Sequence, residues 1–399
     1  LTTVMHPYDL TLLFLPTVAI FITIAISAMR SGCEPTLAMF LALLKAALYI
    51  IYYGFLFDGT FTFLDDWSYL QGGEALLDEQ SSLLDLVRSE FVFALAGGDH
   101  IVYYLYNTVA MDWFGRGYYA PVALNVMATG LIAWLGSRLS VSEGLCYQRY
   151  QPQLFAFLVL HPDIVAWSTV MNGKDTLLLL LHVLLLISVA WFLRGRIWHA
   201  LALGAAASLV LFYLRFYVPF LFSLALLLAV GTRFINSGHK RGKFALLALL
   251  MFGVILGLIG FGGFNYVLGE LREKFVNPLF GLVRFVLTPI PFNTEEAYAF
   301  LDIPAVLHWM LIPAALLGVL KLHRMGTPFS RFLLIYVALF VGLYSIYGEL
   351  QGPRHRVQLD FAWAIFQFLG LCALLRVQCC PKDLSKNQLA PNKTSTTLW

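Results

Sequence analysis

A bilayer admits backbone only as closed hydrogen-bonded helices or barrels, and this chain repeatedly offers apolar runs of about 20 residues, the length a helix needs to cross ~30 Å of hydrocarbon. Eleven such runs can be read, near residues 9–29, 36–57, 118–137, 152–170, 176–193, 198–214, 217–232, 244–263, 304–320, 332–347 and 358–376. Of the 399 residues 60% are hydrophobic and 12% charged, against about 25% charged in soluble domains, which excludes an ordinary soluble fold. The expectation is an all-α, polytopic integral membrane protein with about 11 transmembrane helices. It forms a single transmembrane domain over 1–376, followed by a disordered cytoplasmic tail over 377–399. The first run lacks a basic leader and a small-residue cleavage site, so it reads as the first span rather than a cleaved signal.

Lys and Arg set the orientation. With the N-terminus outside, the inside segments hold about 16 of the 26 basic residues, from Arg30, Arg138 and Arg149 to Lys321, Arg324, Arg331 and the tail bases Arg376, Lys382, Lys386 and Lys393, with only Glu34, Glu143 and Asp383 as inside acids. That is the pattern of the positive-inside rule. It puts the C-terminus in the cytoplasm and nearly every carboxylate outside. The cysteines, 33, 146, 372, 379 and 380, show no metal-ligand spacing and fall near the cytoplasmic side, so neither disulfide nor zinc is expected.

Three outside segments are candidates for function. The first, 58–117, contains FLDDWSYLQGGEALL and then SSLLDLVRSEFVFALAGG, which reads as an amphipathic surface helix with a Ser82–Asp85 capping box and an apolar face of Leu84, Val87, Phe91 and Leu95. The second, HPDIVAWSTVMNGKD, is short. The third, 265–303, carries prolines at 278, 289 and 291 that favour a surface or re-entrant excursion over a plain span. No soluble domain and no tandem repeat are evident.

Ionisable groups near lipid are costly, and the outer side collects Asp65, Asp66, His161, Lys174, Asp175, Arg215, Arg284, Arg354, His355 and Arg356. Each has a plain alternative. Asp66 is a favoured N-cap residue for a helix beginning WSYL, with Asp65 a solvated loop charge; the other reading is a general base, or a seat for a divalent cation, Mg²⁺ or Mn²⁺, at Asp65/Asp66. Asp175 suits the first turn of a span and Lys174 could snorkel, while Arg215 between Tyr213 and Tyr217 fits an interfacial anchor. Arg354, His355 and Arg356 run against the positive-inside trend, and a guanidinium suits bidentate phosphate binding. Phosphate beside apolar tails points to a lipid-linked substrate.

On these motifs the chain resembles the GT-C superfamily of membrane glycosyltransferases, especially compact bacterial members of surface-polysaccharide assembly, polymerase-like members included. FLDDWSYLQGGEAL resembles that family's acidic first-loop motif, LHPDIVAWSTVMNGKDTLLLLL its Pro-then-Lys-Asp segment, and VRFVLTPIPF and GPRHRVQLDFAWAIF its later motifs. The resemblance implies sugar transfer from a polyprenyl-(pyro)phosphate donor to a saccharide or lipid acceptor on the extracytoplasmic face of the bacterial inner membrane, with membrane lipids and no nucleic acid among its partners. Asp65 or Asp66 would be catalytic, and Lys174, Asp175, Arg215, Arg354, His355 and Arg356 would line the substrate, with no resident metal ligands assigned. Two features depart from the family pattern: the acidic loop follows the second span rather than the first, and the soluble C-terminal domain of larger members is missing, which implies a small or lipid-anchored acceptor. A flippase or transporter would instead show polar groups deep in several spans and an internal repeat; Lys45 and His182 are the chief candidates. A non-catalytic assembly subunit is a third class.

Overall fold

The computed structural model describes residues 7–59, 64–79, 101–215, 217–237, 274–293, 296–348 and 352–380. Every named element among them is helical, and the single β-bridge joins Phe275 to Tyr347. Among the described residues, eight helical stretches are long and apolar enough to cross a membrane, or nine with one bent pair. Large apolar side chains point outward along them, among them Phe14, Phe40, Leu43, Met310 and Leu316, as lipid-facing surfaces require. The chain is an all-α polytopic membrane protein. Of the other two runs read from the sequence, the helix Tyr217–Ser237 contributes the shorter apolar stretch Tyr217–Ala229, and 244–263 lies outside the described residues, as does the amphipathic segment 81–98.

In chain order the helices are α1 (Leu10–Arg30), α2 (Pro35–Ile51), α3 (Leu64–Glu79), α4 (Ile101–Phe114), α5 (Tyr119–Ser142), α6 (Gln151–Val159), α7 (Pro162–Val170), α8 (Asp175–Leu193), α9 (Ile197–Leu214), α10 (Tyr217–Ser237), α11 (Pro278–Leu287), α12 (Asp302–Met325), α13 (Pro328–Ile346) and α14 (Asp360–Leu374). A one-turn helix, Pro353–Arg356, and a 3₁₀ turn, Val357–Leu359, lead into α14. Proline opens α2, α6, α7, α11, α13 and that short turn, where its missing N–H would be unpaired in any case. Pro162 also breaks the α6–α7 span, which bends by 47° at Leu160–His161, because proline can neither donate to nor pack against the preceding turn.

The alternating spans carry the acidic 65–66 segment, the α7–α8 link, Arg215 and Pro353–Arg356 to one end of the bundle, here the Asp65 end. At the opposite end Arg194 pairs with Glu143 at 2.7 Å, Arg30 lies 5.3 Å above the Trp134 ring, and the guanidinium of Arg149 stacks on Tyr147 and Tyr150. The basic and acidic ends separated by the charge pattern are thus separate in space. Among the described spans, α5, α8 and the 353–374 span are the most enclosed, and α9 and α12 the least.

Among the described residues, α12 crosses α14 with backbone against backbone. A Cβ on Gly318 would stand 1.8 Å from the Phe366 carbonyl oxygen, and one on Gly370 would stand 1.7 Å from that of Ala314. With no hydrophobic drive between helices in lipid, such small-residue contacts let backbones touch and dispersion add up. Replacing Gly370 with valine should therefore cost well beyond the ~1–3 kcal/mol of ordinary overpacking and lower the thermal midpoint in detergent steeply. Gly342→Ala, with open space around the site, should leave the midpoint within error; equal midpoints for the two variants would refute this crossing.

Candidate functional site

The two adjacent carboxylates of the DDW motif sit in the first turn of α3. Neighbouring helical positions are separated by about 100° of rotation, so their side chains do not share a face. Asp65 reaches sideways: its Oδ2 accepts from Arg354 Nη1 at 2.8 Å, and the side chain is 49% exposed. Asp66 turns inward and is fully buried. Its Oδ1 accepts from the Trp67 amide at 3.0 Å and its Oδ2 from the Tyr118 hydroxyl at 2.6 Å.

Around Arg354 a ladder of charge crosses the Asp65 end. Arg354 donates from Nε to Asp175 Oδ2 at 3.0 Å, and Arg215 donates from Nη2 to Asp175 Oδ1 at 3.2 Å. The α3 turn, the α8 N-terminus, the α9–α10 turn and the 353–356 turn are thereby tied by four side chains. Exposure falls from 49% at Asp65 to 16% at Arg354, 9% at Arg215 and 1% at Asp175. Arg215 also donates to the Tyr217 hydroxyl at 3.1 Å, which lies 3.2 Å from that of Tyr344. With its amide turned, Gln358 accepts from Arg215 Nε and Nη1 and donates to Tyr344. Arg215 is thus a buried strut, where the sequence also allowed a surface anchor.

Lys174, the residue before α8, does not snorkel. It is buried, with Nζ 5.6 Å from the centre of the Tyr69 ring. Burial pushes its ammonium down to about 7, and Arg215 and Arg354 push the same way against Asp175 and Asp65. His355 packs edge-on to Tyr344 at 5.9 Å, on the margin of the ladder. Arg356 leaves it altogether, donating to the Thr288 carbonyl and, at 3.3 Å, to both oxygens of Asp163. Arg284 is exposed and lines a cavity of about 320 Å³ with Thr288, Asn293, Tyr298 and Pro353.

Behind Asp66 lies a second, neutral network that sequence reading did not foresee. The Asn172 amide N–H donates to Tyr118 Oη at 2.9 Å, and Asn172 Nδ2 donates to Asn107 Oδ1 at 2.7 Å and to the Asp66 carbonyl at 3.2 Å. Tyr103 donates to Asn172 Oδ1 at 2.9 Å, and Tyr106 to Asn125 Oδ1 at 3.0 Å. Asn172 was legible only as a turn residue, and Asn107 and Asn125 sit in otherwise ordinary helical sequence. Burial raises the Asp66 carboxyl to about 6, while the Tyr118 and Trp67 bonds oppose that rise.

Asp163, His308, Asp360 and Gln367 also escaped the sequence reading, and they correct its picture of spans nearly bare of deep polar groups. All four are buried, together with His161. The signal was present as HPD beside the proline break and LDF at the opening of the last run, but each acid reads there as a helix-start residue. No protein-family model, curated protein or solved structure matches this chain.

Two tests follow. Asparagine at 66 keeps an acceptor for Tyr118, so Asp66→Asn should fold normally, whereas Asp66→Leu orphans buried donors and should cost about 1–3 kcal/mol, read as a lower thermal midpoint. For anion binding, the Lys174 ammonium is fully present below its pKa of about 7. Above that pH, binding must take up a proton, so affinity for a phosphodiester anion should fall as pH rises, by up to about tenfold per unit. Lys174→Arg should flatten that profile; an unchanged slope would remove Lys174 from the anion site.

Proposed function

We propose that the protein is a membrane glycosyltransferase that moves a sugar or oligosaccharide from a polyprenyl-(pyro)phosphate donor to an acceptor at the Asp65 end of the bundle, taken as the extracytoplasmic face. The observation that carries this reading is the graded ladder: the largely enclosed Arg354 and Arg215 and the buried Lys174 form a preformed cationic floor, and Asp65 is its half-exposed anionic lid. A donor phosphate suits Arg354 Nη1, the atom that Asp65 now occupies. Its arrival would take Arg354 Nη1 from the Asp65 carboxylate, which then acts as base.

Asp65 takes the proton of the acceptor hydroxyl, the acceptor oxygen forms a bond to the anomeric carbon, and the anomeric C–O bond to the lipid phosphate breaks with its electron pair leaving on the phosphate. Arg354, Arg215 and Lys174 hold that developing charge in a water-poor site, where fixed donors are most effective. Asp66 is assigned a structural role, since its carboxylate is enclosed by Tyr118 and Trp67 and has no exposed surface. An acceptor that is itself a lipid-linked repeat unit would make the same chemistry a polymerisation.

A second reading, a flippase or transporter of lipid-linked saccharides, draws on the polar groups buried inside the spans, namely Lys45, His182 and the Asp163–Arg356 pair.

The test uses purified protein in lipid with a panel of labelled polyprenyl-linked sugars and acceptors. Asp65→Asn should lower transfer by at least the ~100-fold typical of a lost general base while donor binding persists. Arg354→Ala should weaken binding of polyprenyl phosphate by roughly 10-fold or more, as expected for a charged hydrogen bond of about 1.5–3 kcal/mol. Full activity in Asp65→Asn would sink the assignment of the base. Flipping in liposomes without any sugar transfer would replace the enzyme by the transporter.

A further inference from the structure

The break in the α6–α7 span brings His161 and Asp163 against the opening turn of α14. One ligand atom from each of His161, Asp163 and Asp360 lies within 4.8 Å of the others, and all three residues are buried. Neither oxygen of Asp360 has a hydrogen-bond partner, and neither does His161 Nδ1. The three groups therefore converge without bonding one another. Ligands held at the ~2.0–2.2 Å of a metal–nitrogen or metal–oxygen bond stand roughly 3–4 Å apart, so seating an ion draws in ligand atoms that now lie within 4.8 Å of one another.

The surroundings favour the ion. His161 Nε2 lies 2.7 Å from Gln367 Oε1. An amide oxygen only accepts, so the proton is on Nε2 and the bare lone pair is on Nδ1, the tautomer and outer partner typical of a metal-bound imidazole. His308 stands one layer out. Its Nε2 is 2.9 Å from the Val286 carbonyl oxygen, and its Nδ1 faces Asp163 Oδ2 at 3.4 Å, a cationic partner when both nitrogens carry protons. Arg356 holds Asp163 from the other side with two long contacts of 3.3 Å. Arg356 and His308 both face Asp163, whereas neither oxygen of Asp360 meets a donor, and a buried carboxylate left so is far too costly to persist without a cation or a proton.

We propose that His161, Asp163 and Asp360 bind one divalent transition-metal ion of the zinc or manganese class, with Gln367 and Arg356 as outer supports. One imidazole with two carboxylates suits those ions better than magnesium or calcium, which prefer all-oxygen shells. Protonation of Asp360 would supply the missing charge, yet it would leave its hydroxyl and His161 Nδ1 without partners at the observed spacing. The site is separate from the Arg354 ladder and does not rest on the transferase reading.

The experiment is metal loading of the full chain in detergent micelles, stripped with chelator, dialysed against ZnCl₂ or MnCl₂, and measured by elemental analysis with X-ray absorption on the bound ion. Wild-type protein should retain one ion per chain with a shell of one nitrogen and two or more oxygens, and its thermal midpoint should rise with metal. Gln367→Leu should weaken binding by the ~10–100-fold of a lost outer partner, and His161→Gln and Asp360→Asn should abolish it. Asp65→Asn should load like wild type. Equal loading in Asp360→Asn, or a stripped wild type that takes up no ion, would overturn the site and leave a proton as its occupant. Should Asp360→Asn fail to fold, the absorption spectrum of the wild type and the Gln367→Leu affinity decide the question by themselves.

Discussion

Asp175 is the charge on which the upper half of this bundle depends. A carboxylate 1% exposed among apolar helices is tolerable only when its two oxygens are both met by cations, since burial costs an unpaired ion several kcal/mol at least. Arg215 meets one oxygen and Arg354 the other. Because those arginines come from the α9–α10 turn and the 353–356 turn, the pairing draws three separate parts of the chain onto the N-terminus of α8. The helix dipole adds a favourable field for the carboxylate there. Such a network gives conformational specificity more than net stability, and specificity of position is what the proposed phosphate-binding floor requires.

The short turn Pro353–Arg356 divides its labour by geometry. Residues two apart in a helix point about 200° apart, so Arg354 goes to Asp65 and Asp175 while Arg356 goes to Asp163 and the Thr288 carbonyl. The backbone contact of Gly318 and Gly370 with the facing helix fixes α14 against α12. This sets Gln367 beneath His161 and lets Trp363 stack on His308 at 6.1 Å between ring centres. One glycine-paired crossing thus positions the outer partner and one ligand of the lower cluster, and the same span carries the arginine of the upper one.

The spans were legible because apolar length is a direct physical requirement of the bilayer, and the separation of basic from acidic ends was legible because charge resists translocation. Lys174, Arg215 and Arg354 stood out because cations where the charge rule leaves few are conspicuous in one dimension, and Asp175 stood out as the acid beside Lys174 at the opening of a span. What the sequence hid was direction. DD and RHR look like clusters in a string, yet adjacent residues on a helix diverge, and so Asp66 and Arg356 belong to different networks from Asp65 and Arg354. Asp163 and Asp360 were hidden for another reason: an acid at a helix start has a sufficient local explanation, and only their convergence from α7 and α14 removes it.

In the proposed reaction the division between Asp65 and Asp175 also explains how an already paired arginine can still serve a substrate. Arg354 holds its two carboxylates with different atoms, Nη1 for Asp65 and Nε for Asp175. An incoming phosphate competes only for Nη1, where the partner is half in water and an exposed ion pair is worth about 1 kcal/mol or less. The Nε bond to the buried Asp175 is not contested, so the guanidinium plane keeps its orientation through the exchange. Its desolvation was met during folding, by a carboxylate that stays in place. The substrate therefore meets a cation that is already fixed and already dry, and the group it displaces is the carboxylate that the chemistry needs free.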